Sequence, residues 1–364
     1  LSRLEFISYF AFSFAVVLSV IFSKNQQVTL FGDVFDQSSA VAMLSLPAIM
    51  YLVRTLPEKM RAKLKLVLIG LLSLSAFTFV SALIYKGEIT NYAKQLFTGF
   101  SNPISFAVYI GIFAVATMFY VFKGALPKKH KVWIAITSVL FFAWAIALTS
   151  QDSVRPNFTS TALVGKKVLT HEGIFGIGSG NFTRAWQLYR PQEVITSQYF
   201  GYDFAQGSST MSTLFVTVGI VGLLAFIALI LSALYSTFIS YRQNPSGREH
   251  FILGLLGSVL GYFVIVSWLV PLSYAMLVGW MVVSGLGLAK ARLNEYHPSR
   301  RISFIMVPLA VLLLVNVVVT VNKVRAFSLY NKAQAVAGKE DIAPYIAKAI
   351  SIYPYDGFYR VQVE

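Results

Sequence analysis

One long polar interval interrupts a chain that otherwise consists of apolar runs. It extends over residues 155–222 and contains arginines, lysines, one histidine, a glycine cluster and several aromatic residues. The planar fork of arginine matches the geometry of phosphate, and histidine and carboxylate side chains transfer protons near neutral pH. The interval therefore predicts a site that binds an anionic group and supports acid–base chemistry beside it.

Three arginines of the interval are candidates for contacting phosphate. Arg155 and Arg190 are each followed by a proline, which restricts the local backbone, and Arg184 lies six residues before Arg190. A charge run is more often a solvated face, and we interpret Lys166 and Lys167 in that way, or as a contact with lipid headgroups.

A glycine cluster reads GIFGIGSGNF over residues 173–182. No βαβ pattern surrounds it and no Lys-Ser/Thr pair follows it, so we reject a dinucleotide-binding loop and a P-loop. Two interpretations stay open. The segment is a tight turn with positive φ at its glycines, or its exposed N–H groups bind an anion, and Gly178 and Gly180 then contact substrate.

Candidates for proton transfer and for helix capping also lie in the interval. His171, Glu172 and Asp203 are the candidate bases, although a lone histidine in a loop is more often structural. Ser208 and Ser209 precede an apolar run, where hydroxyl groups cap a helix whose positive end favours an anion. We expect capping there, with substrate contact as the further possibility.

The elements that must position these residues are membrane helices. The chain is 56% hydrophobic and 12% charged, which excludes one ordinary soluble domain and predicts an all-α, polytopic membrane protein. We predict nine spanning helices, at residues 6–23, 38–54, 66–85, 103–122, 132–150, 210–239, 250–269, 271–289 and 303–322. Between the seventh and eighth, a tight turn competes with a broken or re-entrant pair.

Basic residues predict the orientation. Alternate loops, with Arg3, hold 16 of the 30 lysines and arginines against four acidic residues, which places these loops in the cytoplasm. These loop residues, which orient the chain in the membrane, account for most of the net charge of +15. Nucleic-acid binding is therefore not needed to explain that charge. The membrane domain is then 1–323, with the loop 151–209 and a helical region 324–364 outside the cytoplasm.

The predicted spans contain no clear ionisable residue at mid-depth, which argues against a coupled transporter or a channel. Cysteine is absent, so disulfides and thiolate metal sites are excluded. Because ATP is not available outside the cytoplasm, a reaction there needs a substrate that is already activated. A lipid-linked pyrophosphate meets that requirement.

The order of motifs resembles the O-antigen ligase and polymerase superfamily. The matching stretches are RPNFTSTALVGKKVLTHEGIFGIGSGNF, then YRP, then GSSTMSTLFVTVGIVGLLAF, and earlier IFSKNQQVTLFGDVFDQSSAVAMLSL. The resemblance implies a GT-C-type glycosyltransferase of the bacterial inner membrane that moves a glycan from undecaprenyl pyrophosphate to a glycan, lipid or protein acceptor, and that uses no metal and no cofactor. Arg155 matches the loop arginine that binds the donor phosphate.

The chain departs from this family at one position that matters. The family's catalytic histidine lies in a motif just before the helix, where this chain has QGSS at residues 206–209. Three alternatives stay open. Another residue acts as the base, namely Asp203, Glu172 or His171. Otherwise, departure of the pyrophosphate needs little base assistance, or the activity of this chain differs from that of the family. The alternative function is a non-catalytic membrane scaffold or a flippase-like protein for lipid-linked glycans.

The two ends of the chain carry further expectations. Residues 343–364 have the spacing of a tetratricopeptide-like helical pair, which suggests a protein partner. Because such repeats need at least three copies to bury a core, we expect more protein after Glu364. The chain begins with Leu1 rather than Met, so we also expect residues upstream.

Overall fold

Helices form the whole regular structure of the part of the chain that the computed structural model describes. That part comprises residues 3–32, 38–57, 59–60, 63–64, 103–123, 127–150, 155–197, 201–243, 246–288, 300–336 and 341–354. No strand occurs in these residues, as predicted. The predicted third span, 66–85, lies outside them.

Fourteen helices are found in the described ranges. They are α1 (Arg3–Ile21), α2 (Gln26–Phe31), α3 (Ala40–Thr55), α4 (Pro103–Lys123), α5 (Lys128–Ser150), α6 (Phe158–His171), α7 (Phe182–Tyr189), α8 (Gln192–Ile195), α9 (Thr210–Thr217), α10 (Gly219–Gln243), α11 (Gly247–Leu269), α12 (Tyr274–Leu288), α13 (Arg300–Val336) and α14 (Ala343–Ile352).

Three helical stretches of the described residues are long and apolar enough to cross a membrane. They are Gly219–Gln243, His250–Leu269 and Pro308–Ala333. Shorter apolar helices occur at Ile7–Ile21, Ala40–Thr55, Ala107–Lys123 and Tyr274–Leu286. Because roughly 20 apolar residues span the hydrocarbon core, these helices are compatible with a membrane-embedded protein.

Several helix boundaries differ from the predicted spans. The sixth predicted span, 210–239, is divided into α9 and α10, and Gly219 at the junction has a φ of 75°. The ninth predicted span continues without interruption to Val336, because residues 323–336 contain no proline or glycine to end the helix. The helices at the seventh and eighth predicted spans, α11 and α12, form a hairpin. In it, the rings of Phe263 and Trp280 stack with centroids 5.5 Å apart.

The chain divides into two compact units. The first contains residues Leu1–Ala48, Arg155–Leu229 and Tyr296–Glu364, and the second contains Ile49–Val154 and Ile230–Glu295. In the second unit, α4 packs against α5, and the hydroxyl groups of Thr117 and Ser138 are 2.7 Å apart. All ten predicted site residues belong to the first unit.

The polar interval of the first unit folds into the short helices α6, α7 and α8 around its own core. The buried side chains of this core are Val164, Val168, Ile177, Phe182, Ala185, Trp186 and Val216. Because Val216 belongs to α9, the core fixes the short helices against α9. The described residues of this loop therefore form short packed helices.

The C-terminal residues of the first unit form a second small core. Here α14 packs against the last third of α13, and the buried residues are Ala326, Tyr330, Ala333, Ile346, Ala349 and Tyr353. We call α14 and this part of α13 the C-terminal hairpin. Residues 324–336 and 343–352 are helical, as expected for the tail, whereas residues 355–364 of the predicted tetratricopeptide-like pair lie outside the described residues.

Candidate functional site

Helix α6 carries the candidate residues at its two ends. Asn157 caps its first turn by accepting a hydrogen bond from the Ser160 N–H at 2.6 Å. One face of the helix is buried, whereas Lys166 and Lys167 on the other face are exposed. The two lysines therefore lie on an exposed face, which is compatible with both predicted alternatives, a solvated face and a contact with lipid headgroups.

The first turns of α6 and α9 are joined in what we call the N-terminal cluster, comprising Thr161, Ser208, Ser209 and Ser212. The Ser208 N–H donates to Oγ1 of Thr161 at 3.1 Å. Ser209 is the cap of α9 and forms a reciprocal capping box with Ser212. Two positive helix ends thus lie together, an arrangement that favours a bound anion.

Arg155 lies two residues before the cap of α6, at the same end of the helix as the N-terminal cluster. Its Nη1 is buried and makes no hydrogen bond in the described part of the chain. A buried donor without an acceptor costs about 1–3 kcal/mol, and native proteins contain few of them. An anionic ligand would supply the missing acceptor.

A second group of polar side chains lies at the other end of α6. Glu172 accepts hydrogen bonds from Nζ of Lys24 at 3.0 Å and from the Tyr189 hydroxyl at 2.9 Å. The ring of Tyr189 stacks on the ring of His171, with centroids 5.6 Å apart. We call these four residues the carboxylate cluster.

The surroundings of Glu172 favour its charged form. Burial opposes ionisation, but the hydrogen bonds from Lys24 and Tyr189 and the charges of Lys24 and Arg184 outweigh it, so the pKa of Glu172 lies below its ordinary value. Burial raises the pKa of Tyr189, and its hydrogen bond to Glu172 and the charge of Glu172 raise it further. Glu172 is therefore an ionised, well-satisfied carboxylate near neutral pH.

The two clusters are separated by the length of α6. At 1.5 Å per residue, the cap Asn157 and Glu172 are roughly 20 Å apart. The structure thus places Glu172 and His171 at the opposite end of α6 from Arg155. Arg184 acts electrostatically on Glu172 and belongs to the side of the carboxylate cluster.

The remaining predicted base and arginine lie on or near α7. Asp203 is exposed, and one of its carboxylate oxygens accepts a hydrogen bond from Nε2 of Gln187 at 2.7 Å. Arg190 is half-buried and caps the C-terminal end of α7, directly after Tyr189. Asp203 is therefore the one candidate base that the structure leaves outside the carboxylate cluster.

The glycine cluster forms a tight turn, which we call the glycine turn (residues 176–181). Gly176, Gly178 and Gly180 have φ values of 74°, 109° and 73°. The N–H of Gly178 donates to the carbonyl of Thr217 at 2.9 Å, and that of Ile177 donates to the carbonyl of Val216 at 3.1 Å. Because the Gly178 N–H already has a protein acceptor, this conformation does not offer it to an anion.

Gly180 has a packing role in the same turn. A Cβ atom on Gly180 would lie 3.3 Å from Cα of Gly32 and 3.3 Å from the carbonyl oxygen of Val28. The neighbouring Asn181 donates from Nδ2 to Oγ1 of Thr29 at 2.7 Å. The turn is thus held against α2 as well as against α9.

Three residues that join these clusters across long separations in the sequence were not predicted. Lys24 and Tyr189 complete the carboxylate cluster, and Thr161 joins the first turns of α6 and α9. Each is far in sequence from its partner, and a single lysine, tyrosine or threonine carries no motif of its own. Their signal lies only in the folded arrangement.

Comparisons with known proteins do not assign the chain. No family model, no curated protein and no solved structure matches it. In the described ranges, no group of three or more histidine, cysteine or acidic side chains is placed to bind a metal ion.

Proposed function

We propose that this chain is a membrane glycosyltransferase that moves a glycan from a polyprenyl pyrophosphate donor to a glycan, lipid or protein acceptor. The observation that supports this most is the buried Nη1 of Arg155 without an acceptor. Arg155 lies two residues before the cap of α6, and the first turn of α6 is hydrogen-bonded to the start of α9. The resemblance of the interval to the O-antigen ligase and polymerase superfamily suggests which anion belongs there.

The proposed reaction is a substitution at the anomeric carbon of the donor sugar. A hydroxyl oxygen of the acceptor forms the new glycosidic bond, and the bond between that carbon and the pyrophosphate oxygen breaks. The pyrophosphate leaves with the bonding electrons, so negative charge increases on it in the transition state. Arg155 and the N-terminal cluster would stabilise that charge, as preorganised donors do in other transferases.

A base must accept the proton that the acceptor hydroxyl loses. Glu172 and His171 are about 20 Å from the start of α6, which is too far for proton transfer at the carbon bonded to the pyrophosphate. We therefore assign this role to Asp203, with release to water or to the departing pyrophosphate as the alternative. Arg190 and Arg184 then lie beside a more distant part of the glycan.

We further propose that the chain crosses the bacterial inner membrane nine times. The interval 151–209 and the C-terminal hairpin then lie outside the cytoplasm, where lipid-linked glycans are consumed and where a protein partner reaches the hairpin. The asymmetry of basic residues supports this orientation.

One observation favours a second candidate, a non-catalytic scaffold or a flippase-like protein that binds lipid-linked glycans. Glu172 is fully engaged by Lys24 and Tyr189, and Asp203 is exposed and bonded to Gln187. A protein that only binds the glycan needs no free base. Such a protein would use Arg155 for binding without transferring the sugar.

A transfer assay tests the proposed function. Purified protein is incubated with an undecaprenyl pyrophosphate-linked glycan and candidate acceptors, and product is measured for the wild type, Arg155→Lys and Asp203→Asn. We expect Arg155→Lys to lower the rate by about 10² to 10³, the usual loss for one preorganised donor.

Lys166→Ala is the matched control, because it removes a cation from the exposed face of the same helix. Its rate should equal that of the wild type. Transfer by Arg155→Lys at the wild-type rate would contradict the role of the guanidinium. Donor binding without transfer to any acceptor would favour the scaffold.

A further inference from the structure

The C-terminal hairpin is bonded to the short helix α2. The hydroxyl of Tyr353 lies 3.0 Å from the carbonyl oxygen of Phe31 and 2.7 Å from that of Gly32. The last carbonyl groups of a helix have no partner within the helix, so the tyrosine acts as a C-terminal cap of α2. Nζ of Lys323 lies over the Tyr353 ring at 5.7 Å, and cations are favourable at this end of a helix.

The same end of α2 supports the glycine turn. Gly32 is the residue on which Gly180 packs, and Thr29 accepts the side-chain hydrogen bond of Asn181. Just before α2, Oγ of Ser23 donates to the carbonyl of Ile177 at 3.0 Å. The glycine turn therefore has one side on α2, and its other side on the carbonyl groups at the end of α9.

We propose that the C-terminal hairpin is a conformational latch. Tyr353 fixes the end of α2, and α2 in turn holds the glycine turn closed against α9. A change at the hairpin, such as the binding of a protein partner, would thereby alter how often the glycine turn opens. This coupling follows from contacts within the first unit and does not rest on the proposed glycan transfer.

The test uses the absence of cysteine from residues 1–364. Ser179, which is completely buried in the glycine turn, is replaced by cysteine as a reporter of opening. The labelling rate of Ser179→Cys by a maleimide is measured in detergent with Tyr353 intact and with Tyr353→Phe, which removes only the hydroxyl. Because labelling requires local opening, we expect an increase of about tenfold, the effect of losing one hydrogen bond.

Two controls make the result specific. Tyr345→Phe removes a hydroxyl from the same hairpin, and it should leave the labelling rate of Ser179→Cys unchanged. Ser160→Cys, on the buried face of α6, reports general loosening of the interval, and Tyr353→Phe should not change its rate. An unchanged rate at position 179 would overturn the latch. An equal increase at positions 179 and 160 would also overturn it, because it would show a global loss of stability.

Discussion

Arg155 and Glu172 are charged side chains of the same polar interval, yet their surroundings differ. Glu172 has only 9% of its side-chain surface exposed, and it is compensated by Lys24 and Tyr189. Arg155 has a buried nitrogen without an acceptor in the described residues. The first arrangement stabilises the folded interval by itself, whereas the second is stabilised when an acceptor binds. This contrast is why we assign ligand binding to Arg155 and a structural role to Glu172.

The pH dependence of stability tests the role of Glu172. Its pKa in the folded state is lowered, so the stability that it contributes is present above its ordinary pKa of 4.5 and is lost as the pH falls through the lowered value. The apparent Tm difference between wild type and Glu172→Gln should be constant near neutral pH and should shrink below about pH 4.5. Lys166→Ala serves as a control that shows no such change. A difference that grows on acidification would contradict the assignment.

The break between α9 and α10 shows what the sequence could predict at the level of an element. Ser208 and Ser209 predicted the start of the helix at Thr210, because capping depends on residues close in sequence. The break at Gly219 was not predicted, since the apolar run continues through it. Its cause is distant in the sequence, because the carbonyl groups of Val216 and Thr217 at the end of α9 accept hydrogen bonds from Ile177 and Gly178. The residue at the break must be glycine, because a Cβ there would collide with the carbonyl oxygen of Ile174. Only the folded glycine turn reveals that constraint.

Two glycine substitutions test the close approach of Gly219 to the backbone of the glycine turn. Gly173 and Gly219 have φ values of 92° and 75°, so alanine is strained at either position. In the described part of the chain, no atom beyond its sequence neighbours lies within 4 Å of a Cβ on Gly173, whereas a Cβ on Gly219 meets backbone of the glycine turn. We expect Gly173→Ala to cost about 1 kcal/mol and Gly219→Ala about 2–4 kcal/mol, because only the second adds overpacking. Equal losses of apparent Tm would show that the backbone contact is unimportant.

At the scale of the whole molecule, the apolar runs of the sequence predicted the apolar helices found in the described residues. The length and hydropathy of a run can be read from residues that are adjacent in the sequence. The candidate site could be predicted only in part. Arg155 and Glu172 are 17 residues apart in the sequence, and grouping them in one site ignored the rigid helix between them. Residues joined across long separations, such as Tyr353 and Gly32, left no local signal.

Topology is tested by labelling single cysteines in intact cells. We expect Lys129→Cys to be inaccessible to an impermeant reagent and Arg184→Cys to be labelled, because the proposed topology puts the loops rich in lysine and arginine in the cytoplasm. Permeabilised cells serve as the control and should show labelling at position 129. Labelling of both positions from the same side of intact membranes would contradict the predicted orientation.

The binding of donor lipid to purified protein tests the central claim most directly. The dissociation constant of an undecaprenyl pyrophosphate-linked glycan is measured for the wild type, for Arg155→Lys and for Lys166→Ala. A hydrogen bond to a charged group contributes about 1.5–3 kcal/mol, so Arg155→Lys should weaken binding by roughly 10- to 100-fold, whereas Lys166→Ala should bind like the wild type. Equal affinity of the wild type and Arg155→Lys would contradict a pyrophosphate site at Arg155.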